Sequence, residues 1–183
     1  MGDVRIIGGQ WRRSKLPVPQ QAGLRPTPDR VRETLFNWLG QELTGWHCLD
    51  VFAGSGALGF EAASRGAAQV QLIEQDANTV RTLQNNAQRL QAHNITVRRG
   101  DGLATLRSQP TDTLDLIFID PPFASQLHAS ALQAAQSKLK KTGFLYLESP
   151  HAWAEPDLLA QGYQLHRQLK AGQVWAYLLT PAN

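Results

Sequence analysis

The sequence predicts an α/β fold in which a mostly parallel sheet is covered by helices on both faces and ends in an antiparallel hairpin. After residue 46, short apolar runs typical of strands alternate with helical segments, and this alternation favours a parallel sheet. Near the end of the chain, the strand-like runs 163–169 and 174–180 are joined by a short link that contains Gly172. This last pattern predicts the hairpin.

The first 27 residues predict a short hairpin followed by an extended connector, since "KLPVPQQAGLRPTP" is rich in proline and glycine. The whole chain of 183 residues has a net charge of only +3, yet residues 1–32 carry seven basic and two acidic side chains. We therefore expect a basic arm, residues 1–27, on a main domain, residues 28–183. A basic arm suggests a polyanionic partner, although a merely solvated arm fits the same pattern.

A helix is expected after the connector, with Thr27 as its cap, Pro28 in its first turn and Gly40 at its end. Two later helices, at residues 77–93 and 126–141, are predicted by apolar side chains that recur on one face. The strands of the sheet are predicted at five apolar runs, "CLDVF", "VQLIE", "ITVRR", "LDLIFID" and "FLYLES".

The composition argues against several classes of protein. Cys48 is the only cysteine, so an intramolecular disulfide and a thiolate metal cluster are excluded. The five histidines are scattered, and we expect no metal site. No apolar run approaches the roughly 18 residues of a membrane span, and the N-terminus lacks the apolar segment of a secretory signal. We therefore expect a cytoplasmic protein that does not associate with membranes.

A glycine-rich loop follows the first predicted parallel strand. In "LDVFAGSGALG", Gly54, Gly56 and Gly59 match the spacing GxGxxG, and Glu74 lies 20 residues beyond the first of them. Glycines allow a sharp bend and the close approach of a ligand. Glu74, at the tip of the second parallel strand, can accept hydrogen bonds from both hydroxyls of a ribose. The pattern predicts a ligand that contains a nucleoside.

Acidic side chains favour S-adenosylmethionine over NAD as that ligand. Asp50 precedes the glycine loop, and Asp120 should lie near it on the neighbouring strand. Carboxylates at this position repel a pyrophosphate and favour a sulfonium and an ammonium. A chain of this length also leaves no room for a separate hydride-acceptor domain. Asp101 is placed either to accept from the adenine amino group or to cap the following helix.

The stretch "LIFIDPPF", residues 116–123, ends a predicted strand in a carboxylate, two prolines and an aromatic ring. Ligands bind beyond the carboxyl ends of strands in open α/β sheets, so Asp120 should point into the cofactor crevice. An exocyclic base amine is a poor nucleophile, and a carboxylate and a carbonyl that accept its two hydrogens would localise its lone pair. Phe123 would hold the base by stacking, which contributes roughly 1–3 kcal/mol. The motif predicts methyl transfer to a nucleobase amine.

These motifs together resemble the RsmD family, bacterial methyltransferases that modify the exocyclic N2 amine of one guanine in small-subunit (16S) ribosomal RNA. The resemblance is carried by "RIIGGQWR", "GLRPTPDRVRETLFNWL", "LDVFAGSGALGFEAASRGA", "LIEQD" and "DPPF", in that order. It implies a Rossmann-like class I S-adenosylmethionine-dependent methyltransferase fold. In that α/β fold a mostly parallel sheet of seven strands ends in an antiparallel hairpin, and here it would carry a short basic N-terminal extension.

The resemblance also implies roles for individual residues. Asp120 and Pro121 are expected to bind the target amine, and Phe123 to stack on the guanine. The cofactor is expected to be held by Arg25, Thr27, Asp50, Phe52, Gly54, Ser55, Gly56, Glu74, Asp101, Gly102 and Asp120. The expected contacts to RNA phosphates in the basic arm are Arg5, Arg12, Arg13 and Lys15. The implied partner is ribosomal RNA within a small-subunit ribonucleoprotein particle, and we expect a monomer.

Three other functions stay open at this point. A methyltransferase acting on DNA adenine or protein glutamine would use a similar turn, but Asp at position 120 and the lack of a large recognition domain argue against a sequence-specific DNA enzyme. An NAD-dependent oxidoreductase is supported only by GxGxxG. A nonenzymatic RNA-binding module is supported only by the basic arm.

Overall fold

The computed structural model describes residues 2–123 and 125–183. Its strands are β1 Asp3–Arg5, β2 Lys15–Pro17, β3 His47–Asp50, β4 Gln69–Glu74, β5 Ile95–Arg99, β6 Leu114–Ile119, β7 Leu139–Ser149, β8 Tyr163–Ala171 and β9 Val174–Pro181. Its helices are α1 Asp29–Trp38, α2 Ala57–Ser64, α3 Ala77–Arg89, α4 Gly102–Ser108, α5 His128–Ala135 and α6 Glu155–Ala160. No helix in this part of the chain is long and apolar enough to cross a bilayer.

Seven strands form one sheet in the order β5-β4-β3-β6-β7-β9-β8. The first five of these strands run parallel, whereas β9 pairs antiparallel with both β7 and β8. The predicted mostly parallel sheet with a terminal hairpin is confirmed. β3 and β6 lie side by side at the centre of the sheet, so the glycine loop after β3 and the DPPF turn after β6 leave the same edge.

Both faces of the sheet are buried, which explains why its central strands are continuous apolar runs. Leu116 and Phe118 of β6 pack with residues of α1, α2 and α3, whereas Ile117 and Ile119 pack with residues of α4, α5 and α6. Successive side chains of a strand point to opposite faces, so the sheet separates two apolar cores.

The basic N-terminal segment is part of the folded core. β1 and β2 pair antiparallel, and Val4 and Leu16 face each other across the pair, buried in the core on the α1–α3 face. The loop between the two strands is bound to α2, because the Glu61 carboxylate accepts from the backbone N–H of Ile7 at 3.0 Å and of Gly8 at 2.9 Å. A domain boundary between residues 27 and 28 stays a prediction.

Two predictions about helices were wrong. The helix predicted over residues 126–141 ends at Ala135, and Leu139 opens β7 instead, because residues 139–149 find a partner in β6. Thr27 does not cap α1: Pro28 occupies the cap position with no side-chain cap, and the Thr27 hydroxyl donates to Glu148 at 3.2 Å. A contact 121 residues away thus replaces the local one.

Candidate active site

A cleft of about 740 Å³ opens beyond the carboxyl ends of β3, β6 and β7. Its walls are the connector of residues 21–28, the glycine loop, the DPPF turn and the tip of the β8–β9 hairpin. The volume lies within the roughly 300–1,000 Å³ of typical small-molecule sites. The cleft occupies the place where ligands bind in open α/β sheets.

Most residues predicted to hold the cofactor line this cleft. Those that do are Arg25, Thr27, Asp50, Phe52, Gly54, Ser55, Glu74 and Asp120. Gly56, Asp101 and Gly102 are not among the lining residues. For each of them the structure shows a local role that accounts for the residue type at that position. Asp101 caps α4, its carboxylate accepting from the Ala104 N–H at 2.7 Å. A Cβ on Gly56 would lie 2.6 Å from Leu83, and one on Gly102 would lie 2.2 Å from the Val51 carbonyl. Cofactor roles for these three stay predictions.

Glu74 is fixed at the tip of β4 by backbone donors. One carboxylate oxygen accepts from the Gly54 N–H at 3.0 Å, and the other accepts from the N–H groups of Gln75 and Asp76 at 2.8 and 3.0 Å. Gly54 reaches this position with a φ of +52°, a conformation that favours glycine. The carboxylate therefore ties the glycine loop to β4 while it faces the cleft.

Asp50 supplies a buried acceptor that is free to bind a ligand. The residue is 1% exposed and lines the cleft, and its Oδ1 atom has no hydrogen-bond partner among the described residues. Burial, and then the Glu74 carboxylate, raise the pKa of Asp50 to about 7. A buried polar atom without a partner is costly, so a cationic donor in the cleft would relieve it. These residues fit S-adenosylmethionine, whose ammonium and sulfonium carry positive charge.

Asp120 and Glu148 lie side by side at the floor of the cleft. The last pair of the β6–β7 register is Ile119 with Leu147, which brings the residues that follow, Asp120 and Glu148, next to each other. Strand alternation places both side chains on the face of Phe118 and Tyr146, the α1–α3 face. Asp50 lies on this same face, because it is two residues beyond Cys48 along β3. The carboxyl group of Asp120 and the glycine loop are therefore on one side of the sheet.

Sequence reasoning missed Glu148, His128 and Ser149, which also line the cleft. The Glu148 carboxylate accepts from the Thr27 hydroxyl at 3.2 Å, and its backbone carbonyl lies 3.1 Å from His128 Nε2. Burial, followed by the neighbouring Glu148, raises the pKa of Asp120 well above its ordinary value. The signal was present in "FLYLES", because a glutamate that ends an apolar strand beside β6 reaches the edge where Asp120 lies.

The DPPF turn presents its aromatic ring to solvent. Pro121 is buried, while Phe123 is 65% exposed and lines the cleft. Leu159 is comparably exposed, at 57%, but it does not line the cleft, so the position of Phe123 distinguishes it more than its exposure does. The ring is therefore free to stack on a planar group at the mouth of the cleft.

The four predicted RNA contacts, Arg5, Arg12, Arg13 and Lys15, are all exposed and lie outside the cleft lining. Lys15 is 3.8 Å from the Asp3 carboxylate. Arg32, which contributes to the basic surplus of the first 32 residues, is instead fully buried and bound to Asp29 and Glu61. The accessible positive charge is thus smaller than the sequence count suggests.

Comparison with known proteins decides the family. The family described as "Conserved hypothetical protein 95" matches residues 4–180. The chain is 45% identical over 180 residues to ribosomal RNA small subunit methyltransferase D of Escherichia coli K12. The matched region covers 97% of this chain and 89% of that protein. The chain belongs to the RsmD family. The protein of the same name from Haemophilus influenzae is 45% identical over 155 residues, covering 81% of this chain and 79% of that protein.

Solved structures agree with this family assignment. The Escherichia coli protein yhhF, described as a methyltransferase, superposes with a TM-score of 0.85 at 43% identity and 99% coverage of both chains. A methylase from Haemophilus influenzae gives a TM-score of 0.82 at 34% identity and full coverage of both chains. The predicted family, fold and enzyme class of this RsmD-family member are confirmed: the chain is a methyltransferase. The family assignment argues against the two other classes considered, an NAD-dependent oxidoreductase and a nonenzymatic RNA-binding module.

Proposed function

We propose that this RsmD-family protein transfers a methyl group from S-adenosylmethionine to the exocyclic N2 amine of a guanine in 16S ribosomal RNA. One observation carries the proposal: the DPPF turn shares a single cleft with Asp50 and the glycine loop. A nucleophile held at the turn and a cofactor held at the loop would therefore meet. The names of the relatives, which are ribosomal RNA methyltransferases, supply the substrate class.

Three groups of the chain suit the cofactor. When bound, S-adenosylmethionine supplies an electrophilic methyl group on a positively charged sulfur. The unpartnered Oδ1 of Asp50 would accept from the ammonium, and Glu74, held by backbone amides, would accept from the ribose hydroxyls. The segment Arg25–Thr27 also lines the cleft and would close over the ligand, anchored by the hydrogen bond from Thr27 to Glu148.

The DPPF turn suits the target amine. A carboxyl oxygen of Asp120 and the carbonyl of Pro121 would accept its two hydrogens, which turns the nitrogen lone pair out of the purine ring system. Phe123 would stack on the guanine and fix its plane. Most of the acceleration would come from this positioning, for which roughly 7–11 kcal/mol is available in well-oriented reactions. The guanine would have to leave its helix, because the cleft admits a base only when it is extruded.

Ribosomal RNA would be bound by the exposed cations of the N-terminal hairpin, Arg5, Arg12, Arg13 and Lys15. Phosphate contacts position a protein on a nucleic acid without reading its sequence. The same hypothesis places the protein in the cytoplasm as a monomer that acts on small-subunit ribonucleoprotein particles. The relatives' names support the RNA but not these further points.

Labelled methyl transfer tests the proposal. RNA and 30S particles from cells lacking this protein are incubated with the enzyme and labelled S-adenosylmethionine, and the modified base is mapped. We expect label on the N2 amine of one guanine of 16S RNA, and its loss in Asp120→Ala with RNA binding retained. Label on adenine, on DNA or on a glutamine side chain would replace this substrate with another.

A further inference from the structure

Three carboxyl groups gather in the cleft without a matching set of cations. Asp50, Asp120 and Glu148 come from the neighbouring strands β3, β6 and β7, and all three line the cleft. Within residues 2–123 and 125–183 none of them forms an ion pair with a lysine or arginine. A negative charge on any of these carboxyls is therefore not neutralised by a direct ion pair within the described residues. The other titratable groups that line the cleft or face these carboxyls are Glu74, Arg25, His128, Tyr146 and the buried thiol of Cys48.

The groups packed directly around Glu148 are neutral. Thr27 donates its hydroxyl to the carboxylate, and burial lowers the pKa of His128, which keeps that ring uncharged at neutral pH. The Tyr146 hydroxyl is buried with no partner among the described residues, and burial, then Glu148 and Asp120, raise its pKa. Glu148 is thus packed among neutral groups apart from Asp120, and Asp120 also faces the carboxyl of Asp50. Two adjacent carboxyls in this setting cannot both ionise cheaply, so one of them keeps a proton.

We propose that Asp120 and Glu148 share one exchangeable proton, which leaves when a cation enters the cleft and is replaced by a proton from the methylated amine. The inference rests on the proposed function, because that function supplies the cation and the amine. In the transfer the carbon–sulfur bond breaks and a carbon–nitrogen bond forms, so the positive charge moves from sulfur to nitrogen. The lone pair of the nitrogen forms the new bond, and the electron pair of the broken carbon–sulfur bond stays on sulfur. The nitrogen then gives a proton to the carboxyl pair and keeps the electron pair of that N–H bond. That proton passes to water when the next cation binds.

The raised pKa of Asp120 agrees with this cycle, since burial and the neighbouring Glu148 both favour the protonated form of the pair while no cation is present. A positive charge in the cleft opposes both causes and lowers the pKa. When the sulfonium charge disappears, the affinity of the pair for a proton rises again. This happens at the moment when the methylated amine must lose one. Glu148 is thus a positioning residue that sets the proton affinity of Asp120.

Calorimetry of ligand binding tests the inference without any turnover. S-adenosylmethionine and S-adenosylhomocysteine differ by the methyl group and the positive charge on sulfur. Each is titrated into the protein at pH 7 in two buffers of different ionisation enthalpy, and the dependence on buffer gives the number of protons released. We expect S-adenosylmethionine to release on the order of half a proton to one proton more than S-adenosylhomocysteine.

Glu148→Gln is the deciding variant, because glutamine can still accept from the Thr27 hydroxyl but cannot share a proton. We expect it to bind both ligands and to lose most of the difference in proton release. Asp157→Asn, which removes an exposed carboxyl on α6, is the matched control and should keep the difference. A difference that persists in Glu148→Gln would exclude Glu148 from the proton exchange.

The pH dependence of ligand binding to the wild-type protein tests the same inference, even when the glutamine variant does not fold. Release of about half a proton means that the preference for S-adenosylmethionine over S-adenosylhomocysteine grows about tenfold from pH 6 to pH 8. A preference that does not change with pH would overturn the shared proton while methyl transfer to RNA stands. Failure to bind either ligand would instead overturn the proposed function.

Discussion

Glu61 offers the sharpest test of how the N-terminal hairpin is held. Its carboxylate is fully buried and accepts from Arg32 at 3.3 Å, from Arg65 at 2.9 and 3.0 Å, and from the N–H groups of Ile7 and Gly8. In Glu61→Gln one acceptor oxygen becomes a donor that faces other donors, Arg65 loses its counter-charge, and Arg32 keeps only that of Asp29. Breaking a buried charge pair in this way costs roughly 3–5 kcal/mol.

Urea unfolding measures this loss, and thermal unfolding should show it as a fall in Tm of roughly 6–20 °C, at about 2–4 °C per kcal/mol for a chain of this size. Amide exchange at Ile7 and Gly8 should accelerate, because both N–H groups lose their acceptor. Glu33→Gln, which changes an exposed glutamate on α1, is the control and should stay within about 0.5 kcal/mol of wild type. A loss below about 1 kcal/mol in Glu61→Gln would refute the argument that this carboxylate anchors the hairpin.

Four further predictions concern the cleft and the hairpin. Phe123→Ala should weaken binding of the target RNA by roughly 1–3 kcal/mol in a filter or fluorescence assay, and Phe123→Tyr should not, because stacking needs only the ring. Gly9→Ala should lower the free energy of unfolding in urea more than Gly23→Ala does. Both glycines have a positive φ, but only at Gly9 would the new Cβ meet a backbone atom, the Ser64 carbonyl oxygen at 1.9 Å. Asp50→Asn should stabilise the ligand-free protein at pH 8 but not at pH 4, because the folded pKa of about 7 lies above the unfolded value of 3.8. The stability that Asp50 contributes is fully present below about pH 4 and is lost as the pH rises through about 7. Identical unfolding curves for the wild type and Asp50→Asn at pH 8 would contradict the raised pKa of Asp50. Replacing the exposed cations of the N-terminal hairpin should make the salt dependence of RNA binding less steep. The slope of log binding constant against log salt concentration should fall by roughly 0.7–0.9 for each phosphate that is no longer neutralised. An unchanged slope would mean that the hairpin does not contact the RNA.

The parallel part of the sheet could be predicted from the sequence because its signals are local. Each strand is an apolar run, and each is followed by a turn or by a helical segment. The adjacency of β3 and β6 then followed from the topology of such sheets, and with it the meeting of Asp50 and Asp120 at one edge. These two carboxyls define most of the candidate site.

Features that depend on distant partners could not be predicted. The periodicity that suggested a helix through residue 141 is real at Leu132 and Ala135, but pairing with β6 takes Leu139 into a strand. Thr27 satisfies the local rule for a cap, yet its hydroxyl binds Glu148, far along the chain. The place of Glu148 at a strand end is visible in "FLYLES", but its meeting with Asp120 depends on the β6–β7 register, which no local pattern specifies.

The hydrogen bonds of Glu61 hold the basic N-terminal hairpin in one conformation. They fix the loop between β1 and β2 to α2 before any partner arrives, so the cations on this hairpin sit on a rigid support. A disordered basic tail would have to give up conformational freedom on meeting a polyanion, whereas this hairpin gives up little. If the hairpin contacts RNA as proposed, its affinity should depend on how well the spacing of its charges matches the shape of a folded RNA surface, which would favour a structured particle over an unfolded strand.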